Sequence, residues 1–330
     1  MSAGQSSSVP AAASLGPVAE AELVAAAPQP VDPHPLRGML LFLSGLLLLA
    51  CMDSATKFLA ARYEVALIVA VRHVLSCLLM LALLAPSQGA RLMQTRRTGL
   101  VLVRALCLAA TSLFIGLALA RMPIAESTSL LFLAPSFVVL LARPFLGERI
   151  GGLGWLAAIA GFAGVLLIAR PGAGLEPVGV AFAIAAAAVS AVYQLLSRAL
   201  AHSERTTVLM FYGALVSAIT LSPAIPWFWD GPVPRLLDLL LFFGIGVASA
   251  GGHYLITAAH RYAPASILAP IGYGQLIWAG LLGWLVFGHV PGALSMAGML
   301  VIVASGALIV SKPQVENWLA RRARLQSSRQ

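Results

Sequence analysis

From about Gly38 to Ser311 the chain is one apolar run after another, each close to a bilayer's width and parted by short polar stretches. About 20 apolar residues at 1.5 Å each carry a helix across a hydrocarbon core. With 60% of residues hydrophobic, only 10% charged and a mean hydropathy of +0.92, the chain is far less charged than a water-soluble domain. Its solvent is therefore lipid. The 274 residues of this region accommodate about ten crossings at about 27 residues per helix and loop.

The hydropathy predicts spans at 38–58, 65–85, 99–119, 124–143, 152–170, 178–199, 206–226, 236–258, 264–287 and 290–310. Most connections are short, so consecutive helices run antiparallel. The 86–98 segment is a longer loop carrying Arg91, Arg96 and Arg97. Residues 1–36, rich in Ala, Ser and Pro, lack a basic start followed by an apolar run and a cleavage site, and read as a disordered cytoplasmic tail. Residues 312–330 read as a basic cytoplasmic tail, with a surface-lying amphipathic helix around Trp318 and Leu319 as the sharper alternative.

The chain repeats itself once. "LARMPIAESTSLLFLAPSFVVLLARPFLGERI" (residues 119–150) returns as "AHRYAPASILAPIGYGQLIWAGLLGWLVFGHV" (residues 259–290). Arg121 matches Arg261 at a distance of 140, while Gly147 matches Gly288 and Lys57 matches Arg198 at 141. A period this long marks a duplicated unit, not a solenoid. The two units are 37–171 and 172–311, each with five spans. Five is odd, so the second unit enters the bilayer from the opposite side. Inverted units place a solute site between them near the midplane and suit alternating access.

Lysine and arginine give the orientation. With the N-terminus inside, 14 of the 21 fall on inner segments and 5 (Lys57, Arg62, Arg121, Arg170 and Arg235) on outer ones. This bias predicts both termini on the cytoplasmic side of an inner membrane. The net charge of +9 is thus a topology signal, and nucleic acid is not an expected partner, since no basic face interleaved with aromatics is present. Cys51, Cys77 and Cys107 lie inside apolar spans without Cys-x-x-Cys spacing and read as small packing residues.

Few polar side chains sit at membrane depth, where a charge costs at least about 2.5–3.5 kcal/mol and needs a partner, water or a use. Asp53 and Lys57, one turn apart, form either a self-neutralising pair or a cavity acid that exchanges a proton or cation. Arg72 stays protonated when buried, so it pairs with Asp53 or Glu126, or faces the carboxylate or phosphate of a solute. His73 beside it reads as a helix-packing residue, and Arg104 as a cation that snorkels to headgroups. Glu126 either complements the dipole of the helix it opens or takes up a proton from a cavity. Tyr193, Gln194, Tyr212, His253, Tyr254, Tyr273, Gln275 and Trp278 form a second set, suited to lining an organic-solute cavity or to packing. Pro270, Gly272 and Gly274 loosen the helix that carries Tyr273 and Gln275. The chain has no phosphate-cradling loop, no His-Glu-x-x-His and no Gly-x-Ser-x-Gly, and its six histidines lack metal spacing. No cofactor or metal is expected, and movement of a solute would run on a gradient or by exchange.

"MDSATKFLA" in span one, "AVRH" in span two, "PIAESTSLLFLAPSFVVLLARPFLGERI" in spans four and five and "APASILAPIGYGQLIWAGLLGWLVFGHVP" in spans nine and ten resemble the EamA-type branch of the drug/metabolite transporter superfamily. The resemblance covers about 38–311. It implies ten helices as two inverted five-helix repeats and secondary transport of small organic solutes such as amino acids, riboflavin or S-adenosylmethionine. Members include exporters and importers. His289 stands where the first unit has Glu148, so a role for that acid need not be shared. The expectation is an exporter of a small metabolite such as an amino acid, with Arg72 reading an anionic group and Asp53 or Glu126 coupling protons. A vitamin-type importer is the second reading, its aromatic set stacking on a flat ring. An enzyme acting on lipid-linked substrate is the third; it would need acids, His or metal ligands clustered at one membrane surface. The partners expected are a small organic solute and membrane lipid, with homodimer formation left open.

Overall fold

The computed structural model describes residues 35–146, 152–169, 175–200, 203–228, 233–263, 268 and 271–308. Residues 1–34 of the predicted N-terminal tail, the predicted C-terminal tail, Gly147 and Glu148 of the repeat motif, and Pro270 lie outside the described residues, while Pro35 and Leu36, predicted as tail, open the first helix. The described chain is helical: α1 (Pro35–Leu59), α2 (Val65–Gln88), α3 (Thr98–Arg121), α4 (Ile124–Leu131), α5 (Ala134–Leu146), α6 (Gly152–Ala169), α7 (Pro177–Leu200), α8 (Thr206–Leu221), the single turn α9 (Ala224–Trp227), α10 (Leu236–Ala259), α11 (Gly274–Phe287) and α12 (Ala293–Leu308). Six segments are long and apolar enough to cross a membrane, and four shorter apolar ones fill the remaining places of two five-helix units.

Two expectations need correction. The loop predicted from residue 86 is partly helix: α2 runs through Pro86 to Gln88 and continues as a 3-10 turn over Gly89–Met93. Proline removes one backbone bond there, and the chain leaves the helix at Gly89, where φ is +50°. Span four is not one helix. Pro135 has no N–H to donate back into α4, so the chain turns at 132–133 and restarts as α5 with proline in its first turn, where that N–H is not needed.

The second half repeats these choices. α1 and α7 end at Leu59 and Leu200, and α2 and α8 start at Val65 and Thr206, both 141 residues apart. The turn at 132–133 has its counterpart at 272–273, ahead of α11. The two broken helices meet at these turns, where the rings of Phe132 and Tyr273 lie 5.3 Å apart, so the turns flank the pseudo-two-fold axis. The most extensive interfaces obey the same symmetry: α1 with α10 and α3 with α7, the first helix of each half against the third of the other.

The halves are inverted. Arg37 at the start of α1 lies over the Tyr262 ring beyond the end of α10. At the other end of α1, Lys57 meets Leu119 and Met122. There Arg121 also pairs with Glu176, just before α7 begins. The equivalent helices α1 and α7 therefore start at opposite ends of the bundle. We call these the Asp238 end, carrying residues 60–64, 122–123 and 288–292, and the Glu204 end, carrying 89–97 and 203–205. Close contact between the halves uses small residues: a Cβ at Gly45 would stand 2.9 Å from the Gly252 carbonyl oxygen, and one at Gly164 2.8 Å from that of Gly298.

Candidate functional site

Helical spacing brings polar side chains to the centre. Leu46, Leu49 and Asp53 form one stripe of α1. Leu108, Thr111, Ser112 and Ile115 form another on α3. Ser190 with Gln194 on α7, and Ser249 with His253 on α10, add further pairs. With Arg72 and His73 of α2 and Gln275 of α11 they enclose a cavity of about 450 Å³ beside the broken helix α4–α5. A second cavity of about 320 Å³ continues from it, lined by Ser76, Arg104, Tyr193, Ser197, Met210 and Thr257. His73, Leu108, Ser249 and His253 belong to both. The combined space runs from mid-bundle toward the Glu204 end, and each part lies within the size range of small-molecule sites.

Arg72 dominates the central cavity. It is 5% exposed, with Nη1 3.5 Å from the Met52 thioether and Nη2 3.3 Å from His73 Nε2. Its Nε has no partner. Neither anticipated salt bridge forms: among the described residues the ion pairs are Arg62–Asp238, Arg121–Glu176 and His289–Glu126. Asp53 shares the cavity and lies within electrostatic reach of Arg72 without contact pairing. Gln275 Oε1 and Thr111 Oγ1, in the same walls, are also buried without partners. A guanidinium held by a thioether and an imidazole is under-satisfied, so its burial carries an uncompensated cost.

The structure thus gathers Asp53, Arg72, Gln194, His253 and Gln275 around one space and places Tyr193 in the adjoining one. It does not bring Tyr212, Tyr273 or Trp278 there. Tyr212 donates to the Met93 carbonyl (3.1 Å), Tyr273 packs on Phe132, and Trp278 packs against the Phe42–Leu46–Leu268 cluster. Tyr254 points outward.

Lys57 does not pair with Asp53. Its Nζ donates to the carbonyls of Leu119 (2.8 Å) and Met122 (2.7 Å), which close off the end of α3. Glu126 is 2% exposed and does not line the central cavity. Its Oε1 lies 3.2 Å from His289 Nε2 of the other half, and Oε2 has no partner. Gly288, at φ +64°, ends α11 and turns the chain so that His289 arrives there. At the same end Tyr63 donates to Asp238 (3.0 Å) and Arg62 lies 3.3 Å from it. Burial, then the hydrogen bond to Asp238 and its charge, raise the Tyr63 phenol above its usual range, which keeps it a neutral donor.

Two residues escaped the sequence reading. His73 lines both cavities instead of packing between helices, because a central space is wide enough to face two adjacent positions of one helix. Arg104 does not snorkel: it is 7% exposed. It donates to Ser197 Oγ (2.7 Å), the Leu209 carbonyl (2.9 Å) and Tyr193 Oη (2.7 Å), and stacks over the Tyr193 ring. Only contact with the opposite half could reveal this. Arg104→Lys keeps the charge but cannot hold three divergent acceptors. It should lower the melting temperature in detergent by several degrees and loosen Tyr193, seen as raised tyrosine-specific labelling; an unchanged melting temperature would show the clamp to be dispensable.

Comparison with known proteins agrees with this architecture. The profile of the EamA-like transporter family matches residues 36–170 and again 177–311. A riboflavin transporter of Vibrio cholerae is 29% identical over 88% of this chain and 97% of its own. A pseudopaline exporter of Pseudomonas aeruginosa is 30% identical over 83% and 96%. An S-adenosylmethionine uptake transporter of Rickettsia bellii is 26% identical over 82% and 91%. One solved crystal structure, 21% identical, superposes with a TM-score of 0.60 over 83% of this chain and 97% of that one and shares its fold. Two tandem matches, an inverted ten-segment bundle and a polar mid-bundle cavity lead to one conclusion: the chain is a multi-pass membrane protein of the EamA-like transporter family, a small-molecule transporter.

Proposed function

We propose that the protein is a secondary active exporter of a small organic metabolite carrying an anionic group, such as an amino acid or a related compound. It works by alternating access across the inner membrane, with both termini cytoplasmic. One observation carries this reading: the buried, under-satisfied guanidinium of Arg72 in the wall of the central cavity. Asp53 faces the same space and is the group proposed to exchange a proton with the transported solute. Glu126, tied to His289, is proposed to serve closure of the Asp238 end. The lysine and arginine bias supports a cytoplasmic Glu204 end, toward which the cavities extend, and this supports loading from the cytoplasm. Gln194, Gln275, His253 and Tyr193 supply polar contacts around the solute.

The riboflavin transporter among the relatives favours a second reading, a vitamin-type importer. Against it, Tyr212, Tyr273 and Trp278, which would have stacked on a flat ring, lie off the cavity, and Phe132 is the aromatic side chain lining its central part among the described residues. The test is reconstitution in proteoliposomes with labelled amino acids, other carboxylates and riboflavin, with and without a pH gradient. Gradient-dependent movement of a carboxylate out of the compartment facing the Glu204 end is expected. Movement of riboflavin alone, or of carboxylates at the rate of empty liposomes, would overturn the proposal.

A further inference from the structure

The turn after the first helix of each half touches the opposite half, and the two turns do so at opposite ends. Residues 62–63 and 203–204, separated by 141 positions, are equivalent in the repeat. At the Asp238 end, Arg62 and Tyr63 of the first half reach Asp238 in the first turn of α10. At the Glu204 end, Glu204 of the second half accepts the backbone N–H groups of Arg96 (2.8 Å) and Arg97 (2.6 Å), just before α3. α3 and α10 are the third helices of their halves. The same junction is thus built twice, each time with a buried carboxylate (Asp238 1% exposed, Glu204 9%) at the positive start of a helix.

The chemistry differs at the two places. Asp238 belongs to the helix it caps, accepting its own Arg235 N–H (3.1 Å), so opening that junction frees Arg62 and Tyr63 and leaves the cap intact. Glu204 caps α3 from across the junction, so opening that one strips the helix start of its carboxylate. Each junction is reinforced nearby, by Glu126–His289 at one end and by the Arg104 clamp at the other.

We infer that Asp238 with Arg62 and Tyr63, and Glu204 with the Arg96–Arg97 backbone, are reciprocal latches of the transport cycle, each holding one face shut while the other opens. This rests on the alternating-access reading above, and the experiment separates the two. Cys51, Cys77 and Cys107 are replaced by serine and Ser249→Cys is introduced as a reporter, at a position shared by both cavities. A membrane-impermeant maleimide is then added to vesicles of either orientation. Losing one hydrogen bond to a charged group changes such an equilibrium about tenfold. Asp238→Asn and Arg62→Ala should raise the ratio of labelling from the Asp238 face to that from the Glu204 face about tenfold. Glu204→Gln should lower it by a similar factor, and Tyr63→Phe, the mildest change, should move it in the direction of Asp238→Asn. Ratios that stay put, or shift the same way in Asp238→Asn and Glu204→Gln, overturn the latches while leaving alternation standing, provided the parent protein is labelled from both faces. Labelling from one face only in every protein, the parent included, refutes alternation and the latches with it.

Discussion

Arg72→Gln is expected to weaken binding of an anionic solute about 100-fold while raising the melting temperature of the detergent-solubilised protein. The two effects have one cause. The guanidinium is buried against a thioether and an imidazole with its Nε unpaired, so in the free protein it carries a burial cost of at least about 2.5–3.5 kcal/mol on insertion scales. Glutamine removes that cost and also the two-pronged cation an anionic group would occupy. Arg72→Lys should fall between, since an ammonium keeps the charge and loses the fork. Binding is read by solute-dependent thermal shift and transport by proteoliposome flux. A variant that loses stability and transport together would show Arg72 to be a structural residue, and one that transports normally would remove it from the site.

Asp53→Asn should uncouple transport from the proton gradient. The substitution keeps the shape of the side chain and removes its negative charge and its ability to gain and lose a proton. Accumulation driven by a pH gradient should fall to the level seen without one, while exchange of labelled for unlabelled solute continues within about threefold. Lys57 does not neutralise Asp53, because helix-end carbonyls satisfy it first, so nothing one turn away on α1 substitutes for a proton. Retention of gradient-driven accumulation in Asp53→Asn would reassign coupling to another group, Glu126 first.

The sequence reading was strongest where a rule is local. Apolar length located the spans, and residues such as Arg121 and Arg261 exposed the duplication. It failed where a partner lies far along the chain. Pairing of Lys57 with Asp53 is one of two readings open to a linear view, which sees only neighbours, yet the acceptors of Lys57 are 62 and 65 residues away. Arg104 looked like a headgroup anchor from its position near a helix start, and Tyr193, which it holds, is 89 residues off. The aromatic set was chosen by residue type alone. Which of its members faced the cavity depended on the rotation of each helix about its axis, set by packing against the other half.

Composition and periodicity by themselves determined a lipid-dissolved bundle of ten segments in two inverted halves, because bilayer thickness fixes helix length and an odd number of crossings forces inversion. Only the tertiary structure decided that Arg72 stands under-satisfied in the cavity wall, that Lys57 is held by helix-end carbonyls of its own half, that Arg104 and Glu126 contact the opposite half, and that the bundle carries a carboxylate junction at each end. Those outcomes turn on ångström-scale packing within and between the halves, where one hydrogen bond gained or lost decides whether a buried charge is satisfied.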